Sequence, residues 1–250
     1  MQKLLGKFES KSLEIINTDR HYVPPAELLV QIEAYWNAAV EKHGSKLWNG
    51  VNYRLEQIVE ENGLVTLHLG TADYKVNFAS RHLAKEIRAL SWEQQPRCMY
   101  VSTLMETTDG KYILGETASS GVHGRMRALV GGILNQDEQV INSGSDLEAY
   151  LYKELEEEFG ISKEMIVESN GVGIYEMDTC RVGVFMHTRL KLSQKEFEKL
   201  AQVNDEHDGY AVMTTEQIWV VAKEADTDVN TGVVLVLREL SIPLQLENDY

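Results

Sequence analysis

The chain has 250 residues, 43% of them hydrophobic and 25% charged, a balance that suits a folded globular protein and excludes a disordered or fibrous one. Asp and Glu number 39 against 24 Lys and Arg, a formal charge of −15, which argues against a nucleic-acid partner because such a surface repels a phosphate backbone. A small anionic substrate is compatible only if its site brings local positive charge, either a metal ion or an arginine pair.

The first residues, "MQKLLGKFESKSLEI", carry charges throughout and lack the apolar core of a signal peptide. No apolar run approaches membrane-spanning length, so the expected location is cytoplasmic, with no membrane partner. Cys98 and Cys180 have neither metal-site nor disulfide-scaffold spacing and read as reduced packing cysteines.

In chain order, residues 1–95 form a predicted N-terminal α+β unit. "PPAELLVQIEAYWNAAVEKHG" predicts a helix, with prolines at its start, apolar residues at helical spacing and Gly44 at its end. "NYRLEQIVEENGLVTLHLG" predicts two strands around the turn "ENG", with His68 an outward or hydrogen-bonded strand residue. Residues 96–250 form the second predicted unit. It opens with a hairpin turning at Asp109-Gly110, followed by the strand "RMRALVGGIL" with its glycine pair Gly131-Gly132. A polar stretch, Asn135 to Ser145, leads to a helix from Asp146 to Phe159, capped by Ser145 or Asp146 and stopped by Gly160. Two strands follow in "VGIYEMDTCRVGVFMHTRLKLS", then a short helix in "SQKEFEKLAQ". "YAVMTTEQIWVVAKE" predicts a strand and a helix capped by Thr214 or Thr215, and "NTGVVLVLREL" a buried closing helix. The expected class is α/β (α+β), a mixed sheet with helices inserted.

The segment "LYKELEEEFGI" concentrates the chemistry. At 100° per residue Glu154, Glu157 and Glu158 share one stripe, beside an apolar stripe of Tyr152, Leu155 and Phe159. Like charges at this spacing cost only a few tenths of a kcal/mol on an exposed helix, so a solvated acidic face is one reading. The other is a site for a hard divalent cation, Mg²⁺ or Mn²⁺, which carboxylate oxygens suit. Around it, Gly131 and Gly132 would let a phosphate approach backbone closely, and Arg125 and Arg127, two apart on a strand, would clamp phosphate.

These residues resemble the Nudix box, G-x5-E-x7-R-E-U-x-E-E-x-G-U, where U is bulky and aliphatic. Its second half reads Lys153, Glu154, Leu155, Glu156, Glu157, Glu158, Phe159, Gly160, Ile161, and six of its seven specified positions match. Lys153 stands in place of arginine, keeping the charge but losing the bidentate fork. In the first half, Ser145 takes the glutamate position and Gln139 the glycine position, which reads as an insertion between Asn135 and Ser145. "LWNGVNYRLEQIVEENGLVTLHLGTADYK", Leu47 to Lys75, is similar to a segment preceding the Nudix domain in the branch that hydrolyses UDP-glucose and UDP-galactose.

The resemblance implies a Nudix-type mixed sheet between helices and Mg²⁺-dependent hydrolysis of a nucleoside diphosphate linked to another group. A UDP-sugar would give UMP and sugar 1-phosphate. It implies Glu154, Glu157 and Glu158 as metal ligands, with Lys153 orienting the box. The general base would be Glu154, Glu157 or the late-loop Glu206, whose neighbour His207 is expected at the surface. Arg54, Tyr74 and Arg81 are candidates for recognising the rest of the substrate. ADP-ribose or another nucleotide is an alternative substrate, and a non-catalytic nucleotide-binding module an alternative role. Homodimers are common in the family, and exposed strand edges would allow one.

Overall fold

Pro24 and Pro25 fix the start of the first helix. In the computed structural model, which describes residues 1–44, 47–117, 127–204, 207–224 and 228–242, α1 (Ala26–His43) begins directly after them. Leu28, Ile32 and Ala39 are its buried residues, and Gly44 closes it at φ +58°, where a Cβ would be strained. Two strands precede it, β1 (Gln2–Leu5) and β2 (Leu13–His21). Only Leu13 of β2 is buried, so the sequence carries no alternation that would announce the strand.

The two predicted strands around "ENG" form as β3 (Val51–Glu61) and β4 (Leu64–Asp73). Asn62 and Gly63 between them have φ of +51° and +81°, the positive pair that a tight hairpin turn needs. Two short helices follow, α2 (Tyr74–Ser80) and α3 (Ala84–Arg88). Next come β5 (Met99–Glu106) and β6 (Tyr112–Thr117), joined through Gly110 at φ +69°.

Among the described residues, the predicted strand through "RMRALVGGIL" forms as β7 (Arg127–Ala128) plus isolated bridges at Val130 and Ile133, because the glycine pair interrupts regular pairing. Helix α4 (Gly144–Phe159) starts earlier than expected: the Asp146 backbone N–H donates to Ser143 Oγ at 3.2 Å, so Ser143 caps it rather than Ser145 or Asp146. The chain then forms β8 (Ile166–Glu176), β9 (Val182–Leu190), α5 (Gln194–Leu200), β10 (His207–Met213), α6 (Thr215–Glu224) and α7 (Asp228–Glu239). Ser193 and Glu196 make a reciprocal capping box at α5, and the Gln217 N–H donates to Thr214 Oγ1 at 3.3 Å ahead of α6.

The chain divides into two compact units, Met1–Val101 with Ile133–Tyr150 and Gly173–Val184, and Ser102–Gly132 with Leu151–Val172 and Phe185–Tyr250. In the first, β4 is the middle strand of a three-stranded sheet, parallel to β2 and antiparallel to β3. Its core gathers Tyr22, Leu28, Ile32, Ala72, Val76, Ala79, Leu83, Ile87 and both cysteines, which are buried and free. β1 pairs antiparallel with the end of β8, Lys3 opposite Tyr175.

In the second unit the strand order is β8-β9-β5-β6-β10, with β7 beside β6. The core of this unit includes Leu104, Ile113, Leu155, Phe159, Phe185, Phe197, Ile218 and Val236, all between 0% and 2% exposed. Burial of each such side chain is worth roughly 1.5–3 kcal/mol relative to leaving it in water. The class is α+β with mixed sheets, as the sequence predicts. Among the described residues, no helix is long and apolar enough to cross a membrane.

Candidate active site

Apolar anchoring sets the rotation of the acidic helix. Leu151, Leu155 and Phe159 on α4 are fully buried, while Tyr152 is only half-buried, so the buried stripe is shifted from the predicted one. The helix stops at Gly160, φ +70°, where the Gly160 N–H donates to Glu156 O at 2.9 Å and the Ile161 N–H to Leu155 O at 3.1 Å.

That rotation gives the three glutamates three different environments. Glu157 lies towards solvent, its side chain 55% exposed, with Lys153 Nζ 3.7 Å from its Oε1. Lys153 therefore stands beside one of the box carboxylates, one turn away. Glu154 is half-buried and lies against Gly132: a Cβ built on that glycine would fall 2.5 Å from the Glu154 carboxyl carbon and 2.6 Å from each oxygen. Glu158 is turned inward, its side chain 5% exposed and its Oε2 3.2 Å from His207 Nε2.

The stripe that carries the three carboxylates is therefore not uniformly exposed. The stripe straddles the line between core and solvent, because Glu158 follows Leu155 and precedes Phe159 on the buried side. His207 also differs from expectation. It is not at the surface: its side chain is 6% exposed, with the Phe159 ring centroid 4.9 Å away. Gly115 on β6 makes the room, since a Cβ there would lie 2.6 Å from His207 Cε1. The acidic run "NDEHDG" hides this residue in the sequence, and it becomes visible only as the first position of β10.

Gly131 adopts φ +142°, a conformation that favours glycine. The open face of Gly132 is taken by the Glu154 carboxylate, so this glycine seats a box residue. The Arg127 Nε donates to Glu116 Oε1 at 2.9 Å and is half-exposed. Arg125 and Glu206 lie outside the described residues. In the first unit Arg54 is buried and Tyr74 packs edge-on against Trp36, while Arg81 is half-buried.

Among the described residues, no three His, Cys, Asp or Glu side chains are grouped tightly enough to hold a metal ion on their own. The donor chemistry still fits Mg²⁺. Mg²⁺ keeps several waters and is usually held by one or two carboxylates together with substrate phosphates, not by an all-protein cage. Glu154, seated on glycine, and the solvent-facing Glu157 supply such oxygens on adjacent turns, and Glu158 stands next to them with its partner His207.

No protein-family model matches the sequence, and no curated protein does. Among solved structures, the chain is similar to a MutT protein from Methanosarcina mazei Go1, at 17% identity and a TM-score of 0.39, over 58% of this chain and 93% of that one. It is similar to an Ap4A hydrolase from C. elegans, at 16% identity and a TM-score of 0.40, over 58% of this chain and 95% of that one. It is also similar to a Nudix hydrolase from Nitrosomonas europaea, at 16% identity and a TM-score of 0.39, over 55% of this chain and 86% of that one. Likenesses of this size do not assign an activity, which has to be argued from the residues.

Proposed function

We propose that the chain is a metal-dependent hydrolase of nucleoside diphosphates linked to another group, with a UDP-sugar as substrate and UMP and sugar 1-phosphate as products. The catalytic domain in this reading is residues 96–250. The observation that carries it is the seating of Glu154 on Gly132, which joins the acidic box helix to the glycine pair on which the box resemblance turns.

Glu154, Glu157 and Glu158 would hold Mg²⁺, or Mn²⁺ in its place. When bound, the ion would neutralise the diphosphate and lower the pKa of a coordinated water. Lys153 would restrain Glu157, 3.7 Å away. His207 would fix the rotamer of Glu158 from within the core, 3.2 Å away. Arg125 and Arg127 would bind the phosphates, Arg127 by exchanging Glu116 for substrate oxygen. Glu154, Glu157 or Glu206 would accept the proton of the attacking water, a role worth roughly 10²–10⁴-fold in rate. The N-terminal resemblance supports UDP-sugar over ADP-ribose.

A second reading, a nucleotide-binding module without turnover, is favoured by one observation: Glu158 is engaged with His207, 3.2 Å away. Product release from UDP-glucose, UDP-galactose, ADP-ribose, diadenosine polyphosphates and nucleoside triphosphates, with Mg²⁺, Mn²⁺ or chelator, separates these. UMP from the UDP-sugars is expected. Metal-dependent cleavage of another substrate alone would retain the chemistry and reject the UDP-sugar assignment. Calorimetric binding without cleavage under either metal would establish the module.

A further inference from the structure

The first unit contains a cavity of about 560 Å³ lined by Arg20, Tyr22, Pro25, Arg54, Glu56 and Arg97 among others. None of the box residues lines it. That volume lies within the range of small-molecule sites.

Glu56 is the buried carboxylate, and both its oxygens are used: Oε1 accepts from Arg54 Nη1 at 2.7 Å and Oε2 from Arg20 Nη1 at 3.2 Å. Gly70 permits this placement, since a Cβ there would lie 2.6 Å from Glu56 Oε1. Arg54 is otherwise spent on the backbone, donating from Nε and Nη2 to Gln95 O and from Nη2 to Glu93 O. It holds the wall in shape.

Arg97 differs from both. It is 1% exposed, its guanidinium carbon stands 3.9 Å from the Trp92 ring centroid, and its Nη1 donates to the Glu56 backbone oxygen at 3.0 Å. Its buried Nε has no hydrogen-bond partner among the described residues. A buried guanidinium N–H without an acceptor is costly, and an anion that accepts from it would relieve that cost. Burial, then the neighbouring Arg54, press in the same direction and bring the Arg97 pKa down to about 10.

Arg54, Arg97 and the exposed Arg20 thus face the buried Glu56 and the exposed Glu93, and the partly buried Glu176 also acts on Arg97 from outside the lining. The unpartnered Arg97 Nε and the solvent-facing Arg20 guanidinium suit a dianion, and a phosphate carries about −1.5 to −2 at pH 7. Tyr22, Val23 and Pro25 add an apolar side. We propose that this cavity binds a phosphate monoester, its phosphate taken by Arg97 and Arg20 and its organic group by the Tyr22–Pro25 wall.

Isothermal titration calorimetry on the full chain tests this, with inorganic phosphate, UMP and glucose 1-phosphate as probes. Chelator and a Glu157→Gln, Glu158→Gln background silence the acidic helix. At least one ester is expected to bind once per chain, more tightly than inorganic phosphate, and equally well in the silenced background. The tighter ester identifies the organic group as nucleoside or sugar. Arg20→Glu, at an exposed side chain whose loss leaves the core intact, and Arg97→Lys should each weaken binding by about tenfold or more. Absence of binding by all three probes would overturn the proposal. So would equal binding in both arginine variants, or loss of binding in the silenced background. None of these readouts depends on turnover, so they fail independently of the hydrolase reading.

Discussion

The carboxylate of Glu154 stands where a side chain at position 132 would have to be, its carboxyl carbon 2.5 Å from an ideal Cβ on Gly132. Gly132→Ala would therefore displace Glu154. The displaced atoms are the end of a flexible side chain, so stability should change little. Misplacing a group at the reacting centre by about 1 Å can cost about 100-fold in rate, and a fall of that order in kcat is expected. Thermal melts beside steady-state rates check both halves. An unchanged kcat would remove Glu154 from the chemistry.

His207 and Glu158 face each other at 3.2 Å with side chains 6% and 5% exposed. Leaving a buried polar group without its partner costs about 1–3 kcal/mol. His207→Leu should therefore lower the unfolding free energy by about 1–3 kcal/mol in urea titrations. A surface histidine would give a change near zero.

This pair shows what was legible in the sequence and what was not. Elements that announce themselves locally are present: both turns with Gly63 and Gly110, the Gly44 and Gly160 stops, and the Thr214 cap of α6. Leu155, Phe159 and the glutamates read correctly as neighbours on one helix. Which glutamate turns inward depended on the helix rotation and on His207, almost fifty residues later, and no periodicity encodes that. β2 was missed because its partner β4 holds it by parallel pairing while its own side chains stay largely outside. Arg97 was invisible for a similar reason: burial of an arginine is decided by Trp92 and Glu56 in three dimensions.

A second buried-side pair gives a pH signature. His187 Nε2 lies 2.8 Å from Glu106 Oε2, and hydrogen bonding to His187 holds the Glu106 carboxyl below the ordinary carboxylate range. The unfolded chain takes up this proton near the usual value of about 4.3, the folded chain only at lower pH. Glu106 therefore contributes stability that is complete above the unfolded pKa and is lost as pH falls towards the folded value. Melting temperatures measured across that acid window should fall more steeply for the wild type than for Glu106→Gln. Parallel curves would contradict the assignment.

Gly70 has a different constraint from Gly132. A Cβ there would meet Glu56 Oε1 at 2.6 Å and the Arg20 backbone oxygen at 2.7 Å. Backbone yields less readily than a side-chain tip, so Gly70→Ala should destabilise the fold by about 1–3 kcal/mol. Denaturant midpoints check this. A variant as stable as the wild type would show that β2 and β4 separate more easily than the pairing implies.

The most direct test of the account is the rate of UMP release from UDP-glucose by the wild type and by Glu157→Gln, Glu158→Gln, each with Mg²⁺ and with chelator. Release by the wild type with Mg²⁺, none with chelator, and at least a roughly 100-fold loss in the folded double variant are expected. Equal release by the double variant, or release that persists in chelator, would contradict it.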